Sequence, residues 1–212
     1  MPTLTVLDAL SPLAPAIDVP QGAVIVDVPH ANAAARAKFA RPGPFPVAAL
    51  RWRSEDGKPT EGALSFTVAE HVGWLAPDPA NSDAGAEDDG AVDAADVVKQ
   101  VSFLHKSADV TIDEFRSHYR HHVEVAGRHM PTLWQYVQYD VLDIDGDEAA
   151  AASGIVAVSV LWFRSTGDFL ERYFASPQDE AEFRSQEGFL DLSKAFTFVA
   201  GVQPGASPAA RP

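Results

Sequence analysis

Thr111–Pro131 reads TIDEFRSHYRHHVEVAGRHMP. Ile112, Phe115, Tyr119, Val123, Ala126 and Met130 recur at helical spacing, so at about 100° per residue they share one face. Thr111 with Glu114 three residues on is a capping-box start, and Pro131 marks the stop. The spacing predicts one amphipathic helix that carries four of the chain's seven histidines. His118, His122 and His129 form a row beside the apolar stripe, where the wall of a pocket would stand. His121 points away from the core with Arg120, Glu124 and Arg128.

Outward from this helix the pattern is regular. A strand over Val98–His105 precedes it, and Leu133–Val141 and Ile155–Phe163 follow as strands. Thr166–Ala175 is helical, Ser176-Pro177 breaks it, Gln178–Gln186 opens a further helical stretch, and Ala195–Val202 is the last strand. The order is β-α-β-β-α-β, a ferredoxin-like unit. Alternation in Leu133–Val141 puts Trp134 and Tyr136 on one face and Val137, Tyr139 and Val141 on the other. Ile155–Phe163 is apolar on both faces, which predicts burial on both. A four-stranded sheet with its helices on one side leaves the other side open, so something must cover it. Either a second copy of the chain or the N-terminal segment would do so, making a two-sheet α+β barrel. The chain's own N-terminal segment is the favoured cover.

That segment, residues 1–76, is α+β and divergent, and is compatible with a degenerate half-barrel. Strands are predicted over Thr3–Leu10, Ala23–Val28, Val47–Arg53 and Ala63–Glu70, with a short helix over His30–Phe39 and a turn at Asp56-Gly57. Residues 77–96 are acidic, without Lys, Arg or aromatics, and read as a disordered linker. Residues 97–202 form the ferredoxin-like domain, and 203–212 read as a disordered tail.

Composition narrows the function. The 212 residues include no cysteine, which excludes disulfides, thiolate nucleophiles and Cys-ligated metals. A formal net charge of −14 argues against nucleic acid and anionic membranes as partners. Neither a signal-peptide pattern nor a membrane-spanning apolar run is seen, so a cytoplasmic protein is expected. Dinucleotide, P-loop, zincin and serine-hydrolase motifs are missing.

Residues 97–202 resemble the EthD-like family of the dimeric α+β barrel superfamily. The resemblance rests on the first strand ending at Lys106, the helix pattern Phe115, Tyr119, His122, the return Pro131, Leu133, Tyr136, Val137, and the later Ser176-Pro177, Phe189 and Asp191. It implies a ferredoxin-like fold and a homodimer. Relatives work without metal or organic cofactor as polyketide cyclases, lactone isomerases and monooxygenases, and others bind haem. Counted back from Pro131, the family's helix histidine falls on His122; counted forward from Phe115, it falls on Val123.

His122 is the candidate general base or acid, with Tyr136 or His118 assisting. His129, Tyr119, Trp134, Trp162 and Phe196 are candidates to line a site for a small hydrophobic or aromatic molecule. The bland alternatives are a packed, half-buried histidine and ordinary core aromatics. His118 and His122 have the i, i+4 spacing of a metal pair, but His129 lies about 10 Å further along the helix, too far to complete it. No cofactor and no metal are therefore expected. The leading reading is a cofactor-independent lyase, isomerase or cyclase using histidine-assisted proton transfer on a hydrophobic aromatic or polyketide-like small molecule. The alternatives are a non-catalytic binding or accessory protein, and a haem-binding or cofactor-free monooxygenase relative.

Overall fold

The capping box that opens the long helix is formed in both directions: the Thr111 hydroxyl accepts from the Glu114 backbone N–H, and the Glu114 carboxylate accepts from that of Thr111. A computed structural model describes residues 4–10, 25–39, 43–45, 47–54, 63–74, 93, 95–146 and 152–201. Its elements are β1 (Leu4–Leu10), β2 (Ile25–Pro29), α1 (Ala33–Lys38), β3 (Ala49–Ser54) and β4 (Leu64–Trp74), then β5 (Val98–His105), α2 (Ile112–His129), β6 (Leu133–Asp145), β7 (Ile155–Phe163), α3 (Thr166–Glu171), α4 (Pro177–Ser185) and β8 (Phe196–Gly201). The predicted turn at Asp56-Gly57, the tail and most of the acidic stretch lie outside the described residues. The end of that stretch is anchored, since the Asp96 carboxylate accepts from the backbone N–H of Thr166.

The eight strands close into one antiparallel barrel in the order β4-β1-β3-β2-β8-β5-β7-β6. Read from β4, each segment contributes its fourth, first, third and second strand in turn. The fold is thus mixed α+β, and the first segment covers the sheet face that the second would leave open. One interior cluster draws on both: Leu7, Leu50, Trp52, Phe66 and Val68 meet Phe103, Val137, Val158, Trp162 and Phe196. Pairing also overrode local composition. β6 runs to Asp145, four residues past the expected end at Val141, because β4 pairs with it as far as Ser65.

The two seams between segments differ. β4 and β6 pair along most of their length, whereas among the described residues β2 and β8 pair at Val28–Gly201 and Pro29–Ala200, with the His30 N–H donating to the Val199 carbonyl at 3.0 Å just beyond. Beside that short seam, Lys99 from β5 donates to Asp27 from β2 at 2.6 Å, and its ammonium sits 4.9 and 4.8 Å from the rings of Trp52 and Trp162.

α2 lies against β4 and β6. A Cβ added at Gly73 would stand 2.9 Å from both Val123 methyls and from the Tyr136 carbonyl oxygen, so glycine permits this approach. On the same flank, Arg120 donates to Asp140 at 2.8 Å, beside the His71–Asp140 contact at 3.1 Å. The buried stripe of α2 is Phe115, Tyr119, His122, Val125 and Ala126, closed by Met130. Ile112, expected in that stripe, is 37 % exposed, and Val123 is half-buried. Among the described residues no helix is long and apolar enough to cross a membrane.

Candidate functional site

Ser159 is the one polar residue in the nine of β7. Register places it in a row: Gln138 pairs with Ser159, Ser159 with Ser102, and Ser102 with Thr197, across β6, β7, β5 and β8. Apolar neighbours Val101, Phe103, Val158 and Val160 turn into the barrel, so alternation aims this row at the helices. A helix–sheet interface normally buries apolar side chains on both sides. Four polar ones in register mark a floor that is not simply core.

The row is hydrogen-bonded. The Tyr119 hydroxyl donates to the Val158 carbonyl at 2.9 Å and stands 2.9 Å from Ser159 Oγ. The Tyr136 hydroxyl makes longer contacts, 3.3 Å to Ser159 Oγ and 3.4 Å to Gln138 Nε2, and Gln138 also donates to the Tyr119 carbonyl. At the other end the Tyr173 hydroxyl donates to Gln100 Oε1 at 3.0 Å, and Ser102 Oγ lies 3.0 Å from Thr197 Oγ1. Burial raises the pKa of all three tyrosines, so they are neutral donors at physiological pH.

Above this floor stands His122, 4 % exposed. Its ring meets Phe183 of α4 edge-on at 4.6 Å and Phe189 at 5.6 Å. Among the described residues its fully buried Nδ1 has no hydrogen-bond partner. Burial, with the nearby His121 second, lowers the imidazole pKa to about 4. An unsatisfied buried polar group costs roughly 1–3 kcal/mol, so such a ring calls for a water or a ligand.

A cavity of about 90 Å³ opens there, bordered by Tyr119, His122, Tyr136, Ser159, Phe183 and Glu187 among others. Of the residues singled out from sequence, the fold brings together His122, Tyr136 and Tyr119. His118 is exposed and stacks on Phe189 outside the cavity. His129 is turned to α4, its Nδ1 2.9 Å from Asp179 Oδ1. Trp162 and Phe196 belong to the barrel interior, on the opposite side of the sheet from His122. Trp134 packs against that interior too, whereas Tyr136 joins the cluster beneath the helices. The strand register slips between Leu133 and Gln135, and this bulge puts on opposite faces two residues that plain alternation places together. Glu187, Gln100, Tyr173 and Ser159 were not singled out from sequence. Ser159 had a legible signal, a lone hydroxyl in an apolar strand; Glu187 had none. Among the described residues no group of three or more His, Asp or Glu could hold a metal ion.

No family model matches this chain, and no curated protein matches it.

Proposed function

We propose that the chain is a cofactor-independent proton-transfer enzyme, a lyase, isomerase or cyclase, acting on a hydrophobic aromatic or polyketide-like small molecule whose reacting carbon lies in this cavity. The observation that carries the proposal is His122: a neutral imidazole whose buried Nδ1 has no partner among the described residues, bordering a cavity that also presents tyrosine hydroxyls. In this reading the imidazole takes a proton from the carbon next to a carbonyl. The electron pair moves onto the carbonyl oxygen, which accepts a hydrogen bond from the Tyr136 hydroxyl. Returning the proton to another carbon isomerises the substrate; expelling a leaving group makes a lyase; attack on a second carbonyl closes a ring. Tyr119, whose proton goes to Val158, positions Ser159. His118, expected to assist, has no part in this step.

The order β8-β5-β7-β6 with α2, α3 and α4 between strands supports a ferredoxin-like reading of the second segment, and with it the EthD-like resemblance. Fold analogy alone does not carry the chemistry. A homodimer, which the resemblance implies, would form through an outer surface, because the barrel interior is filled by the chain itself.

The test is exchange of the acidic C–H of benzoylacetone with deuterated solvent, followed by NMR. The intact protein should accelerate it, and His122→Asn should lose about 10²-fold or more of that acceleration. Exchange no faster than buffer, with the probe bound, would favour a non-catalytic accessory protein. Equal exchange by the variant would reject His122.

A further inference from the structure

The His122 cavity is too small to hold a substrate by itself. At about 90 Å³ it is smaller than the roughly 150 Å³ apolar cavity that takes up benzene. It adjoins a second compartment of about 130 Å³, with which it shares Gln100, Ser102, Tyr173, Phe183 and Glu187 as common walls. The second compartment runs beneath α4 toward Thr197 and ends at Phe39 and Phe174. Phe39 and Phe174 in turn border an outer cleft of about 360 Å³ between α1 and α4.

From this arrangement we infer that the ligand is an elongated, uncharged, oxygen-bearing hydrophobic molecule that spans both compartments, and that Phe39 of the first segment limits its length. The inference rests on the reading of the His122 cavity as a ligand site. Phe39, Tyr173, Phe174 and Phe183 give the slot flat apolar walls. Among the described residues that line the second compartment, the charged side chains are Arg184 and Glu187, one of each sign and 3.8 Å apart, so its lining carries no net charge to select an ionic ligand. The floor supplies the polarity. The hydroxyls of Ser159, Ser102 and Thr197 stand on successive strands, about 5 Å apart, and a hydroxyl can make more than the single bond each needs for its neighbour. A ligand with oxygens on one edge at that spacing would match them.

Phe39 caps the C-terminus of α1, in a part of the chain read from sequence only as the barrel's cover. Its ring meets Tyr173 at 5.0 Å and Phe169 at 5.8 Å. The first segment would then shape the site as well as close the fold.

The experiment is calorimetric titration of the full chain with phenol, 1-naphthol, 1-hydroxyanthracene and 1,8-dihydroxyanthracene. Affinity should rise about fivefold with each ring added to the mono-hydroxy series. Phe39→Trp should cancel the gain from the third ring and leave phenol unchanged. Thr197→Val should weaken the dihydroxy probe alone. If phenol binds but added rings bring no gain, or if Phe39→Trp weakens phenol and 1-hydroxyanthracene alike, this inference falls while the cavity remains a ligand site. If no probe binds the intact chain, both fall together.

Discussion

The imidazole of His122 and the ring of Phe183 meet in a T-shaped contact, centroids 4.6 Å apart and planes inclined at 63°. That contact joins the middle of α2 to α4 and seals the histidine from solvent. Phe183→Ala should open this side to water, weakening the burial that holds the imidazole pKa near 4. NMR titration of the His122 ring should show its pKa rising by about one pH unit or more toward 6.5. An unmoved pKa would mean that burial comes from elsewhere. The truncation should also cost about 3 kcal/mol of stability, as for other buried Phe→Ala changes.

The same histidine makes stability fall in acid. Its pKa is about 4 when folded and 6.5 for a free imidazole, so between these pH values the unfolded chain binds the proton and the folded chain does not. The favourable contribution is present above pH 6.5 and is lost as pH falls toward 4, amounting to about 3 kcal/mol when complete. His30 and His105 are lowered by burial too and act in the same direction. Urea melts from pH 7 to 4 on the intact chain and on His122→Leu should therefore both slope, the variant less steeply. Parallel slopes would remove the assignment.

Gly73 sets how closely α2 approaches the first segment. Gly73→Ala would put a methyl against Val123 and against the Tyr136 carbonyl, each at 2.9 Å. Overpacking of this kind costs about 1–3 kcal/mol. Adding Val123→Ala should relieve the side-chain clash but not the backbone one, so the double variant should recover only part of the loss in thermal melts. Full recovery would mean that the carbonyl yields, and no loss would mean that α2 shifts freely over β4.

Local order was easy to read in this chain, and sidedness was not. The capping box, the short helix α1, and every strand of the second segment follow from residue type and period. The closed ring does not, because it depends on β4 finding β6 and β2 finding β8, pairings that no local pattern encodes. The histidine row shows the same limit. A helical wheel gives the direction of His118, His122 and His129 but not what lies opposite each. Phe183 and Phe189 enclose His122, while His118 stacks on Phe189 at the surface and His129 finds Asp179. From sequence Trp162 and Phe196 read as pocket wall because an aromatic on a two-sided apolar sheet looks the same from either side; only closure tells which face is the interior.

The short seam between β2 and β8 leaves the Lys99–Asp27 pair with a disproportionate role in joining the segments. Both side chains are almost fully buried, and Asp27 also accepts from the Trp52 indole N–H at 2.6 Å. Asp27→Ala would strand an ammonium in the barrel interior, where burial already lowers the Lys99 pKa. Removing one partner of a buried pair typically costs about 3–5 kcal/mol, whereas replacing both with apolar residues is often neutral. Asp27→Ala should therefore lower the denaturation midpoint sharply, and Asp27→Leu with Lys99→Met should restore most of it. Hydrogen exchange should quicken in Asp27→Ala first at the amides of β2 and β8, since among the described residues that seam is short, two register pairs and the His30–Val199 backbone bond. Faster exchange along β4 and β6 instead would place the weak seam on the other side of the barrel, and a double variant as unstable as the single would show that the ion pair contributes more than the mutual cancellation of its charges.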